Sequence, residues 1–166
     1  MRYLLLCGWV FLLASHASAA KVNVGDVPSQ SYIGKTTKGD KVFVQPMKGK
    51  VVIVTFWRSV CQPCMSMLPV FDAVLNNVTT DHMEVVAVNF QESASKVRWL
   101  KKLLPATKMH LLVDKKSMVA KKYGIKVAPT TLIVNRKGEI AKIYKEFDDN
   151  TIKTILADLQ GILNDR

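Results

Sequence analysis

The sequence is poor in cysteine: three in 166 residues, too few for a small domain stapled by several disulfides. It is also poor in acids, with 13 Asp plus Glu against 24 Lys plus Arg and a formal net charge of +11. Internal repeats and low-complexity tracts are absent, and no apolar run reaches the roughly 20 residues that a membrane-spanning helix needs. At 49% apolar and 22% charged residues the chain is not of disordered composition, and its length suits a single domain. No basic stretch interleaved with aromatics marks a nucleic-acid surface. Pairs such as Lys101-Lys102, Lys115-Lys116 and Lys121-Lys122 read as solvated faces, while the overall excess of positive charge favours acidic partners or an anionic surface.

The first residues have a layout of their own. Met1-Arg2-Tyr3 is a short cationic start, Leu4 to Ala14 is apolar apart from Gly8, and Ala17-Ser18-Ala19 supplies small residues. This three-part order predicts a cleaved secretory signal peptide over residues 1–19, with Ala20 as the alternative cleavage position. Cys7 lies inside the apolar stretch and follows Leu6, so it does not mark a lipid anchor.

Beyond it, residues 20–40 are rich in Gly, Ser, Thr and Lys and read as an extended lead-in with turns. Lys41 to Gln45 alternates like an edge strand, and Val51 to Trp57 is the β-branched run of a strand buried on both faces. A helix is expected from Cys61 to about Val78, with Pro69 as a kink. Strands follow at Met83–Phe90, His110–Val113, Thr130–Asn135 and Glu139–Lys145, the last two joined by a hairpin turn at Asn135-Arg136-Lys137-Gly138. Between them, a helix capped by Ser93 or Ser95 stops at Pro105, and a shorter one spans Lys115 to Tyr123. A last helix, starting near Asp148, places Ile152, Ile155, Leu156, Leu159, Ile162 and Leu163 on one stripe. The pattern is that of an α/β sheet with an antiparallel hairpin at its end.

Chemistry concentrates in Cys61-Gln62-Pro63-Cys64, where a buried strand ends and a helix begins. There the first cysteine faces unpaired backbone N–H groups at the positive end of the helix dipole, which favours thiolate over thiol. Cys61 is therefore the expected attacking nucleophile and Cys64, one turn further in, the resolving thiol. A purely structural bridge closing so short a loop is worth only about 2 kcal/mol. Redox-active pairs of this spacing range from about −270 to −120 mV, some 7 kcal/mol of tuning. A zinc site needs four ligands, and His82 and His110 are the only histidines beyond the signal segment, on different elements.

The run Phe56-Trp57-Arg58-Ser59-Val60-Cys61-Gln62-Pro63-Cys64, with Leu68-Pro69 after it, resembles the active-site segment of thioredoxin-fold proteins. Tyr123 to Thr131 resembles the segment that holds their cis-proline. The lead-in Val24-Gly25-Asp26-Val27-Pro28, the strand start Gly49-Lys50-Val51-Val52 and the inserted helix near residues 93–104 are similar to the TlpA/ResA branch, exported thiol-disulfide oxidoreductases related to the AhpC/TSA peroxiredoxins. The resemblance covers about residues 22–160. It implies a thioredoxin-like fold over residues 20–166: a central mixed sheet flanked by helices, with an N-terminal strand extension and an inserted helix.

The same resemblance implies a Cys61–Cys64 redox disulfide, a cis Pro129 beside it, an Ala128 backbone turned toward substrate, and Trp57 as the aromatic before the active-site turn. It implies a periplasmic monomer that takes electrons from a membrane thiol donor and reduces disulfide-containing proteins, apocytochrome c among them, without cofactor, metal or nucleic acid. A disulfide oxidant, a peroxiredoxin-like peroxidase and a metal chaperone are the alternatives. Against the peroxidase stands Arg58, where such enzymes usually carry Thr. Three further departures from thioredoxin-fold relatives matter. Val60 replaces a frequent Trp, and Thr55 and Met67 occupy positions where related proteins carry the acid that serves the resolving thiol. Glu92 is the candidate replacement.

Overall fold

The computed structural model describes residues 22–27, 32–44, 47, 49–78 and 80–165. The expected signal peptide with Cys7, Pro28 of the lead-in and the Gln45 end of the expected edge strand lie outside these residues. Among the described residues the chain runs β1 (Tyr32–Lys35), β2 (Lys41–Phe43), β3 (Val51–Trp57), α1 (Gln62–Asn77), β4 (Met83–Phe90), α2 (Ala94–Leu103), β5 (His110–Asp114), α3 (Met118–Lys122), β6 (Thr130–Val134), β7 (Ile140–Tyr144) and α4 (Asp149–Asn164). The seven strands form one mixed sheet in the order β2-β1-β5-β4-β3-β6-β7.

The β3 run is central because every residue in it is buried. Its side chains alternate between two cores: Val51, Ile53 and Trp57 meet α1 and α4 on one face, and Val52, Val54 and Phe56 meet α3 on the other. β4 and β5 continue the sheet in parallel on one side, and β6 and β7 pair antiparallel on the other. On the hairpin side, Arg136 donates to the carbonyls of Ile162, Leu163 and Asp165, tying the β6–β7 turn to the unpaired C-terminal end of α4.

Three sequence expectations are corrected. The lead-in contains a strand, β1, which pairs with β2 and β5. Its Gly34 masks it in the sequence but is required by the packing: φ is +140°, and a Cβ there would lie 3.0 Å from Leu112 Cβ. The helix expected from Lys115 begins only at Met118, because Ser117 turns left-handed and the Asp114 carboxylate accepts from the Ala120 N–H. Leu156, expected on one apolar stripe of α4 with Ile155 and Leu159, is 37% exposed, whereas those two are buried. Pro69 sits inside α1, which continues past it to Asn77.

Candidate active site

At the C-terminal end of β3 the chain leaves the sheet at Arg58 and re-enters regular structure at Gln62. The Cys61 N–H donates to the Arg58 carbonyl, and Pro63 occupies the first turn of α1, where its missing N–H costs no hydrogen bond. Cys61 is the N-cap: its backbone is extended, and its Sγ accepts from the Cys64 N–H at 3.2 Å. The first turn of α1 contains no acid to oppose the helix dipole. Cys61 and Cys64 form a disulfide with Cα atoms 5.2 Å apart. Cys64 is wholly buried, whereas Cys61 is partly exposed. The preceding residue, Val60, is apolar yet 76% exposed.

The β3–β6 ladder brings the second expected segment to the same place. Phe56 pairs with Thr130, so the next step of that register sets Pro129 across from Trp57. The Ala128–Pro129 bond is cis. Pro129 is buried and Ala128 half-buried, and the Thr130 hydroxyl donates to the Val127 carbonyl, pinning the loop. Trp57 is entirely buried in the core that also holds Cys64. At 0% exposure its side chain presents no surface to a substrate.

Inside, the Thr55 hydroxyl donates to Met67 Sδ at 3.4 Å, and Thr55 and Thr131 hydroxyls lie 3.0 Å apart. Thr131 also reaches Met67 Sδ at 3.5 Å. The two positions where related proteins place an acid therefore satisfy each other without charge.

Glu92 is occupied elsewhere. Its carboxylate accepts from the Ser59 N–H at 2.7 Å, the Ser59 hydroxyl at 2.6 Å and Asn89 Nδ2 at 2.6 Å. Burial alone would raise its pKa, but these hydrogen bonds and the Arg58 charge together bring it below the usual carboxylate value. Gln91, at φ +63°, takes the left-handed turn that precedes it. The result is a clamp from the end of β4 onto the loop two residues before Cys61. The tie to Ser59 escaped the sequence reading because 33 residues separate it from Glu92, whereas Asn89, three residues before Glu92, read only as part of the β4 strand.

No group of three or more metal-ligating side chains occurs among the described residues. His110 pairs with Glu84 at 3.1 Å, and Glu84 also meets Lys50 at 2.8 Å.

Comparison with known proteins agrees with this arrangement. The family model described as AhpC/TSA matches residues 26–143. The sporulation thiol-disulfide oxidoreductase A of Bacillus subtilis is 30% identical over 142 residues, covering 84% of each chain. The thiol-disulfide oxidoreductase ResA of the same organism is 24% identical over 140 residues, covering 84% of this chain and 78% of its own. The crystal structure of the thioredoxin domain of a thiol-disulfide oxidoreductase from Bacteroides vulgatus superposes with a TM-score of 0.68 at 21% identity, over 83% of this chain and 99% of that one. With the family match spanning most of its sheet, this chain belongs to the AhpC/TSA family, in the ResA-like branch of thioredoxin-fold thiol-disulfide oxidoreductases.

Proposed function

We propose that the protein exchanges disulfides through a Cys61/Cys64 dithiol cycle and that it works in the reducing direction on exported proteins. In the reduced form the Cys61 thiolate attacks one sulfur of a substrate disulfide, forming a mixed disulfide and expelling the other substrate sulfur as a thiolate. Cys64, deprotonated, then attacks Cys61 Sγ. The second substrate thiol leaves, and the Cys61–Cys64 bridge remains. Two electrons pass to the substrate, and the protons end on its two thiols. A membrane thiol donor returns the pair to the dithiol, a requirement because the general periplasm is kept oxidising.

The observation that carries this reading is the asymmetry of the pair. Cys61 is accessible and its sulfur is held by an α1 backbone N–H, while Cys64 is sealed in the core. The Ala128 backbone beside it is the proposed edge onto which a substrate strand adds, with main-chain bonds supplying affinity and little side-chain selectivity. Residues 1–19 act as the cleaved signal peptide, and residues 20–166 form the monomeric mature domain. Apocytochrome c, with its cysteine pair, is the proposed substrate.

A Cys64→Ser variant is the direct test, since it cannot resolve the mixed disulfide. Covalent adducts through Cys61 should accumulate on substrate proteins. If none form while the parent exchanges thiols, the two-cysteine cycle is wrong. Equilibration against dithiothreitol then fixes the direction: a midpoint near −120 mV would make the protein an oxidant instead. Peroxide consumption that stays fast in Cys64→Ser would favour the peroxidase reading.

A further inference from the structure

The end of the sheet that carries Cys61 has a second feature on its other face. β6 runs antiparallel to β3 and β7 antiparallel to β6, so the start of β6 and the end of β7 lie level with the end of β3. There the end of α3, the loop after it and these two strand ends enclose a pocket of about 710 Å³. That volume lies in the range of about 300–1,000 Å³ typical of ligand sites. Its apolar lining includes Ile125, Val127 and Ile143, and Val127 is 50% exposed only one residue before Ala128. Lys121, Lys126 and Lys145 also line it, and no acidic residue does. None of the three lysines has an ion-pair partner among the described residues.

Tyr123 forms the inner wall of the pocket. Its side chain lines the pocket and is only 3% exposed, yet its hydroxyl has no hydrogen-bond partner. Buried hydroxyls are ordinarily paired, so an unpaired one calls for an explanation. Burial pushes its pKa up to about 12, which leaves it a protonated donor at any physiological pH.

We propose that this pocket docks a segment of the protein substrate in which apolar side chains alternate with carboxylates, close in sequence to the disulfide being exchanged. The inference rests on the thiol-exchange reading above and assigns it a substrate class. Apolar groups of the segment cover Ile125, Val127 and Ile143, and its carboxylates meet the three lysines. A solvated lysine face needs no apolar floor. An acidic, apolar strand continuing from the Ala128 edge satisfies both features.

The test uses two disulfide-bridged peptides, identical except that Leu-Glu-Leu-Glu flanks the bridge in one and Leu-Gln-Leu-Gln in the other. The neutral compound 2-hydroxyethyl disulfide serves as reference. The acidic peptide should show a KM about tenfold lower than its neutral twin at low salt, and the gap should shrink as salt screens the charges. Lys121→Glu with Lys145→Glu should abolish or invert that preference while turnover of 2-hydroxyethyl disulfide changes less than about twofold. Equal KM values for the two peptides, or a preference that survives charge reversal, overturn the proposal. So does charge-dependent binding to phosphatidylglycerol vesicles with no peptide preference, which would assign the patch to lipid. If the parent reduces neither peptide nor 2-hydroxyethyl disulfide, the exchange reading itself falls, and this inference with it.

Discussion

The Thr55 hydroxyl donates to the Met67 thioether at 3.4 Å, one helical turn beyond Cys64, and both side chains are fully buried. The resemblance to thioredoxin-fold proteins leads to the expectation of an acid at one or the other of these positions. Here the contact is neutral, and Thr131 closes it into a three-residue cluster. Among the described residues this cluster therefore sets no carboxylate beside Cys64, the proposed resolving thiol, and Glu92 is taken up by Ser59 and Asn89.

It follows that the resolving step should depend on the ionisation of Cys64 itself. Its rate in the parent is expected to rise about tenfold per pH unit until the thiol titrates. Met67→Glu supplies a general base, flattening that profile and raising the rate near pH 7 by about tenfold or more. The same change buries a carboxylate and destabilises the fold by about 2–4 kcal/mol. Stopped-flow measurement of mixed-disulfide resolution against pH decides the first point, and urea unfolding the second. An unchanged profile in Met67→Glu would show that the proton leaves by another route.

The Glu92 clamp has its own pH signature. The folded-state pKa is depressed, so its contribution to stability is fully present above the unfolded value of about 4.3 and is lost as pH falls through the depressed folded value. Glu92→Gln retains one acceptor oxygen but presents an amide NH₂ where the other accepts from Ser59. The expected cost is about 1 kcal/mol after allowing for solvent screening. Melting curves should show a Tm deficit at pH 7 that narrows toward pH 3. Because the clamp holds the loop leading into Cys61, alkylation of Cys61 at pH 6 should also slow.

Gly34→Ala tests the strand that the sequence hides. The left-handed φ and the 3.0 Å approach to Leu112 leave no room for a methyl without displacing β5. A loss of about 1–3 kcal/mol is expected, read as a lower urea midpoint with an unchanged m-value. The active-site pair, four strands away from β2 and three from β1 in the sheet, should keep its exchange rate.

Arg136→Ala removes the donors that hold the carbonyls of Ile162, Leu163 and Asp165. The last turn of α4 should fray, with a stability loss of about 1–2 kcal/mol. Amide exchange should quicken at the end of α4, not in β3, and uniform loss of protection would mean the contact supports the whole fold.

Much of this protein is determined by local pattern alone. The β-branched run of β3, the Cys-x-x-Cys at the strand-to-helix junction and the α4 periodicity each state their element within a few residues, because burial on two faces, a helix N-terminus and a helical stripe impose short repeats on composition. Other features had no such imprint. β1 is a strand because β2 and β5 offer it partners, not because Tyr-Ile-Gly-Lys favours one. The Glu92 clamp, the Thr55–Met67 contact and the pocket shared by α3, β6 and β7 join residues from separate elements. Sheet order decides such meetings, and the energy that selects a sheet order is summed over the whole core. A window of neighbouring residues names the cysteine pair, while only the assembled sheet determines what surrounds it.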